Sequence, residues 1–296
     1  MPKFSIIIAS VNGLPFIEEC LASLDDQRGG LEAEIVVVDS TDEKTRDYIS
    51  RNFPKVNLIR LAARPGIPGM RAIGMREATG DHLVITEDHC IAPENWLEEI
   101  NRAHLAGYAV VGGSVENGSC SRLVDWAVFL CEYSGFMPPI EAGEVDFVAG
   151  NNVSYSRAAI RQVDEAVKND FWEFFMQEEL RRKGIKFLSV PAVKIIHKKD
   201  FGFFYFLAQR FHYSRSFAAM RRQRSTISRQ LIYLAYAPVS AIHLTWRIVS
   251  NVWRKQKHRR ELFLSFPFLA MFMCSYALGE LVGQLFGPGH SLAKVE

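Results

Sequence analysis

Asp81-His82-Leu83-Val84-Ile85-Thr86-Glu87-Asp88-His89-Cys90 sets an acidic pair and a histidine directly after a short apolar run. Such a run reads as a strand buried on both faces, as in parallel sheets, and ligands of open α/β sheets bind beyond the carboxyl ends of such strands. Glu87 and His89 hold alternate positions of an extended backbone, so both can point to one side and share a divalent cation. A second reading is equally open on spacing alone, a strand-end cluster that caps the helix begun by Pro93.

Outward from this stretch, apolar runs at residues 4–9, 34–38, 56–61 and 82–86 alternate with helical patterns near 15–24, 42–52, 69–79 and 93–106. Strand and helix in alternation predict a Rossmann-like α/β fold, a mostly parallel sheet with helices on both faces. Its crevice lies at the strand ends, where Ser10 and Asn12 follow the first run and Asp39-Ser40-Thr41 the second. No GxGxxG follows either strand and no GxxxxGK[ST] occurs, which excludes a dinucleotide fingerprint and a P-loop. Cysteines 20, 90, 120, 131 and 274 form no CxxC pair and are odd in number. They predict neither a zinc knuckle nor a disulfide framework, and are expected to be packing residues.

The net charge of +2 hides a split. Residues 201–296 hold 13 Lys and Arg against Glu261, Glu280 and Glu296, a net +10, which leaves −8 for residues 1–200. The basic part contains two weakly charged apolar segments, 231–246 and 262–279, around Arg254-Lys255-Gln256-Lys257-His258-Arg259-Arg260. So apolar a tail fits anionic membrane lipids rather than a nucleic acid. The second segment would rise roughly 27 Å as a helix, just enough to cross a hydrocarbon core. If both segments crossed, the basic run would lie opposite the acidic body, against the positive-inside tendency. Helices lying in or dipping into the cytoplasmic leaflet are therefore expected, with one true span or a buried helical hairpin as the alternatives. Residues 4–9 are too short for the apolar region of a secretory signal, and Asn12-Gly13 follows at once, so the body is expected in the cytosol.

Five fragments occur in order: Ser5-Ile6-Ile7-Ile8-Ala9-Ser10-Val11-Asn12-Gly13, Ile35-Val36-Val37-Val38-Asp39-Ser40-Thr41-Asp42, Pro68-Gly69-Met70-Arg71-Ala72-Ile73-Gly74-Met75-Arg76-Glu77-Ala78-Thr79-Gly80-Asp81, Thr86-Glu87-Asp88-His89-Cys90 and Pro93-Glu94-Asn95-Trp96-Leu97. Together they resemble family 2 glycosyltransferases with the GT-A fold. The resemblance covers the first 110 residues and is less sharp beyond 150. It implies a nucleoside diphosphate sugar as donor, bound by Ala9, Asn12, Asp39, Arg71, Glu87 and Asp88. Asp39 would accept a base N–H, and Arg71 would lie near the diphosphate. The residues leave other roles open, Asp39 as the start of the next helix and Arg71 as a solvated surface charge.

The family's usual Asp-x-Asp is replaced by Glu87-Asp88-His89, which resembles the Asp-x-His of some GT-A enzymes around manganese. The metal set implied for Mn²⁺ or Mg²⁺ is Glu87, His89 and the late histidine His197, with Glu87 and Asp88 addressing ribose and metal. A histidine after a strand is also often structural. Gly150-Asn151-Asn152-Val153-Ser154 resembles the acceptor-side strand. The family's base stands early in a helix that ends in a glycine; here that helix would run from Asp170 to Gly184, and counting back places the base at Glu173. Glu178 and Glu179 compete, but they can pair with Arg182 and Lys183 at helical spacing. Gln209-Arg210-Phe211-His212-Tyr213 loosely resembles the Gln-x-x-Arg-Trp segment of processive synthases, but His212 and Tyr213 replace its Arg and Trp, so processivity is not supported. Residues 112–146 carry no legible motif.

The resulting expectation is a catalytic domain at 1–200, divided into a nucleotide-sugar half at 1–110 and an acceptor half at 111–200, followed by a membrane-association region at 201–296. Its activity would be an inverting, metal-dependent transfer to a lipid or lipid-linked acceptor at the cytoplasmic face of the cell membrane. A homo-oligomer is left open. The alternatives are a non-catalytic membrane adaptor that kept the fold and a sugar nucleotidyltransferase, which usually shows a Gly-rich, Lys-containing loop near its first strand.

Overall fold

The computed structural model describes residues 3–25, 27, 30–168 and 172–295. By internal contacts it divides into one unit of Met1–Gly118 with Phe136–Lys199 and a second of Ser119–Gly135 with Asp200–Glu296. The expected acceptor half thus yields residues 119–135 to the second unit.

In the first unit, β1 (Phe4–Ser10), β2 (Ala33–Asp39), β3 (Asn57–Arg60) and β4 (His82–Glu87) run parallel in the spatial order β3-β2-β1-β4. They are linked by α1 (Phe16–Asp25), α2 (Glu43–Asn52) and α3 (Ile67–Glu77). All seven residues of β1 are buried, and a strand covered on both faces reads as a continuous apolar run rather than an alternation. Gly74 lets α3 press on β1, because a Cβ there would lie 2.5 Å from Ile7 Cγ2.

The sheet continues through mixed pairings. After β5 (Cys90–Ile91) and α4 (Trp96–Leu105) come β6 (Val110–Asn117), β7 (Gly143–Val145), β8 (Val153–Ser156), α6 (Arg157–Arg161), α7 (Asp164–Lys168), α8 (Glu173–Arg182) and β9 (Phe187–His197). β8 is antiparallel to β4 and β6, while β9 is parallel to β6 and antiparallel to β5 and β7. The ladder between β6 and β9 skips Pro191, Ala192 and Val193, passing from Gly113 opposite Val190 to Ser114 opposite Lys194. Asn152 fastens this bulge, its Nδ2 donating to the carbonyls of Ser114 and Val193 at 2.9 Å each.

The second unit is helical: α5 (Leu123–Tyr133), α9 (Phe203–Gln223), α10 (Ile227–Lys255) and α11 (Arg259–Phe286). α11 packs on α9, α10 and α5. Gly279 and Gly283 bring it against the backbone of α9, since a Cβ at either would lie 2.2 Å from the Phe211 oxygen or 2.4 Å from the Arg215 oxygen. Arg210 of α9 pairs with Glu132 of α5 at 2.6 Å, and Arg221 of α9 pairs with Glu280 of α11. The outer faces expose Leu231, Ile232, Val239, Ile242 and Trp246 on α10 and Phe263, Phe266, Met271 and Leu278 on α11. α11 is long and apolar enough to cross a membrane, and a third of its most apolar stretch is buried. Among the cysteines, Cys20 and Cys90 pack as expected, but Cys120 and Cys274 are exposed.

Candidate active site

Register places the chemistry. Ala9 of β1 lies opposite Glu87 of β4 and Ser10 opposite Asp39 of β2, so the turns leaving these strands share one end of the sheet. β5 folds back from β4 and sets Cys90 opposite His197 at the end of β9. His89 and His197 are thereby joined from positions 108 residues apart, with 2.9 Å between their Nε2 atoms.

Asp88 is the pivot, wholly buried. Its Oδ2 accepts the backbone N–H groups of Val11 (2.8 Å) and Asn12 (2.7 Å). Its Oδ1 accepts Asn12 Nδ2 at 2.7 Å and lies 2.9 Å from His89 Nδ1. Burial pushes the Asp88 carboxyl up, but the hydrogen bonds and charge of His89 and the hydrogen bonds of Asn12 outweigh it and hold it below the ordinary carboxylate range. The contact with Asp88 places a proton on His89 Nδ1, so that in the neutral form of this imidazole the Nε2 lone pair faces His197 and Glu87. The cluster therefore does not cap α4, whose N-cap is Asn95. Burial, with the charges of His89 and Lys199, drives His197 well below the ordinary histidine range, so its imidazole is neutral at pH 7.

Glu87, His89 and His197 offer one ligand atom each, all within 4.8 Å of one another. Two imidazole nitrogens and one carboxylate oxygen, with a carboxylate behind one histidine, make a donor set that fits a divalent first-row cation.

Arg71 connects this triad to Glu173. It is buried on α3, donates from Nη2 to Glu87 Oε1 at 2.9 Å, and pairs through Nη1 with Glu173 Oε1. The surface-charge alternative for Arg71 is thus set aside. Glu173 opens α8, and Gly150 approaches it so closely that a Cβ there would lie 3.3 Å from Glu173 Cγ. The expected start of this helix at Asp170 and Phe171 lies outside the described residues. Glu178 and Glu179 pair with Arg182 (2.6 Å) and Lys183 (3.7 Å), as their spacing predicts.

Asp39 sits one strand away, wholly buried, accepting from Arg46 Nε at 2.8 Å and Thr41 Oγ1 at 2.7 Å. It does not start the next helix; Asp42 caps α2 by accepting from Thr45 N. Two neighbours were given no individual role by the sequence, Asn151 being named only within the acceptor-side strand. Asn151 donates from Nδ2 to Glu87 Oε2 at 3.3 Å. Lys199 is buried and donates to Asn12 Oδ1. The signal for Lys199 was present, because it stands two residues after His197, on the same side of an extended chain.

Comparison with known proteins bears on the fold and the family. A mannosyltransferase from Pyrobaculum calidifontis in complex with GDP-Man and Mn²⁺ superposes with a TM-score of 0.59 at 16% identity, covering 95% of this chain and 87% of that one. S. aureus TarS 1-349 does so with a TM-score of 0.50 at 15% identity, covering 95% and 90%. These likenesses show the GT-A fold. Mouse polypeptide N-acetylgalactosaminyltransferase 12 is 29% identical over 157 residues, 50% of this chain and 26% of its own length. A dolichol-phosphate mannosyltransferase from Pyrococcus furiosus is 31% identical over 127 residues, 39% of this chain and 36% of its own. The matched stretch thus spans only about a quarter to a third of these relatives. Residues 5–167 match the description "Glycosyl transferase family 2", and the chain belongs to that family.

Proposed function

We propose that the chain transfers a sugar, with inversion, from a nucleoside diphosphate donor to a lipid or lipid-linked acceptor at the cytoplasmic face of the cell membrane. The observation that carries the chemistry is the convergence of Glu87, His89 and His197 with Glu173, one guanidinium away through Arg71. A bound Mn²⁺ or Mg²⁺ would neutralise charge developing on the diphosphate. Glu173 takes the proton of the attacking hydroxyl. Arg71 holds Glu173 and Glu87 in fixed relation, and Asp88 with Asn12 sets the face that His89 presents. Ala9 and Asp39, at the ends of the neighbouring strands, border the nucleotide side. Three carboxylates (Glu87, Asp88, Glu173) face two cations (Arg71, Lys199), so the set carries −1 and a divalent ion turns it to +1, a sign suited to a diphosphate.

The helical unit supports the acceptor reading. One relative is named for a polypeptide acceptor and another for dolichol phosphate; the exposed apolar faces of α10 and α11 favour the lipid. α11 is packed along α9, which carries Arg210, Arg215, Arg221 and Arg222. Crossing the bilayer in this packing would take those arginines to depth, at about 2.5–3.5 kcal/mol each on insertion scales. Helices lying in one leaflet avoid that cost and leave both ends basic against anionic head groups.

The test is nucleoside diphosphate release from UDP-, GDP- and dTDP-sugars by membranes containing the protein, with Mn²⁺, with Mg²⁺ and with EDTA. Metal-dependent release from one donor is expected, and Glu173→Gln should lower it at least ~100-fold while donor binding persists. Release unaffected by EDTA or by Glu173→Gln would overturn the reading.

A further inference from the structure

Two lysines follow the last residue of β9, and the fold turns them opposite ways. Lys198 faces out: its backbone N–H donates to the His89 oxygen at 2.9 Å, and its half-exposed ammonium meets Glu19 Oε2 at 2.5 Å. Lys199 faces in. It is 8% exposed and donates to Asn12 Oδ1. The amide nitrogen of the same Asn12 is held by Asp88 Oδ1 at 2.7 Å and lies 3.2 Å from His89 Nδ1. One side-chain amide therefore separates a buried ammonium from the Glu87, His89 and His197 cluster.

Lysine is among the residues least often buried, and here Asn12 Oδ1 is one of the groups that receive its ammonium. A surface lysine would satisfy the fold at this position, as Lys198 does next door. The buried one sits at the carboxyl end of the sheet, where ligands of such sheets bind. Arg71 serves the base, while Lys199 approaches from the β1 turn. An ammonium is a compact point charge with three donors, suited to phosphate oxygens without fixed geometry.

We propose that Lys199 binds the diphosphate of the donor and holds it as the leaving group, an assignment that rests on the glycosyl-transfer reading. As the bond from the sugar carbon to the phosphate oxygen breaks, its electron pair stays on that oxygen, beside Lys199. The acceptor oxygen forms the new bond to the carbon and its proton passes to Glu173.

The experiment is calorimetric titration of the full-length, detergent-solubilised protein with UDP and UMP, and with GDP and GMP, in Mn²⁺. Wild type should bind one diphosphate more tightly than its monophosphate. Lys199→Ala should lose about tenfold or more in diphosphate affinity, as expected for one charge-assisted contact. Its monophosphate affinity should change much less, Lys199→Arg should recover part of the loss, and Lys198→Ala should match wild type. A folded Lys199→Ala that binds the diphosphate as wild type does overturns the assignment. Equal losses for mono- and diphosphate also overturn it, since they mark a structural defect. If Lys199→Ala does not fold, Lys199→Gln and Lys199→Arg decide by the same ratio. Wild type that binds no diphosphate at all removes the glycosyl-transfer reading itself.

Discussion

Replacing Asp88 by Asn exchanges one carboxylate oxygen for an NH₂ at almost unchanged volume. The two backbone donors, Val11 N and Asn12 N, lie 2.8 and 2.7 Å from one oxygen and will keep it. The new NH₂ then faces Asn12 Nδ2, itself a donor, and His89 Nδ1. His89 can accept from it only by moving its own proton to Nε2, which is the atom that completes the cluster with Glu87 and His197. The substitution thus acts on the cation without touching it. Loss of such a supporting carboxylate costs about 10–100-fold in metal affinity, or roughly 1.4–2.8 kcal/mol. Two charge-assisted hydrogen bonds are also lost, so unfolding free energy should fall by about 3 kcal/mol. That second loss has a pH signature. The Asp88 carboxyl is held below its ordinary value of 3.8, so its stabilisation is complete above that pH and disappears as pH falls through the lower folded value. The gap between wild type and variant should therefore narrow in acid. Calorimetric Mn²⁺ titration in the presence of the bound diphosphate, with urea unfolding in parallel, reads both effects. An Asp88→Asn protein that is folded and binds Mn²⁺ as tightly as wild type would refute the role given to Asp88.

Arg71→Met leaves Glu87 and Glu173 without their shared guanidinium, and breaking a buried pair of this kind should cost about 3–5 kcal/mol; urea midpoints within error of wild type would contradict it. Gly112→Ala places a Cβ 2.5 Å from Val148 Cβ and 3.0 Å from the Asn152 oxygen. Overpacking there should cost about 1–3 kcal/mol, read in the same unfolding curves. His104 is stacked on His82 at 3.9 Å, and burial with the charge of His82 lowers it from 6.5 to about 4. Between those values the unfolded chain takes up a proton that the folded chain refuses, so acidification should remove about 3 kcal/mol of stability. His104→Gln should flatten this part of the pH profile, and an unchanged slope would place its origin elsewhere.

The half of the sheet built from β1 to β4 was legible because helices cover both faces, leaving apolar runs such as Ile6-Ile7-Ile8 and Val36-Val37-Val38 that carry their own boundaries. Glu87 and His89 were legible as a pair from their alternate spacing after the strand, and His197 through family likeness; β5, which returns the chain to β9, is what brings the three together. Asp88 was legible as an acid but not as a brace, since its partners Val11 and Asn12 lie 77 and 76 residues away and use backbone groups that sequence does not advertise. The residues around 119–135 stayed silent for a different reason. The apolar surface of α5 answers to α11, more than a hundred residues downstream, and no local period reveals a partner at that distance. Cys120 and Cys274 show the limit of composition, which offers no hint that they face outward.

The bulge in β9 works as an expansion joint. Val190 and Lys194 sit on adjacent rungs of the ladder with β6, so the intervening Pro191, Ala192 and Val193 occupy no rung at all. Length can change there without altering which residue stands opposite Asn117, at the expense of the grip of Asn152 on Val193, the bond from Ser114 Oγ to the Pro191 oxygen and the buried Val193 side chain. Downstream the tolerance vanishes. One residue inserted between Lys194 and His197 would turn the imidazole to the other side of the sheet, because side chains alternate along a strand. Diversification of this chain should therefore gather at the exposed residues 191 and 192 and avoid the three positions that lead to His197.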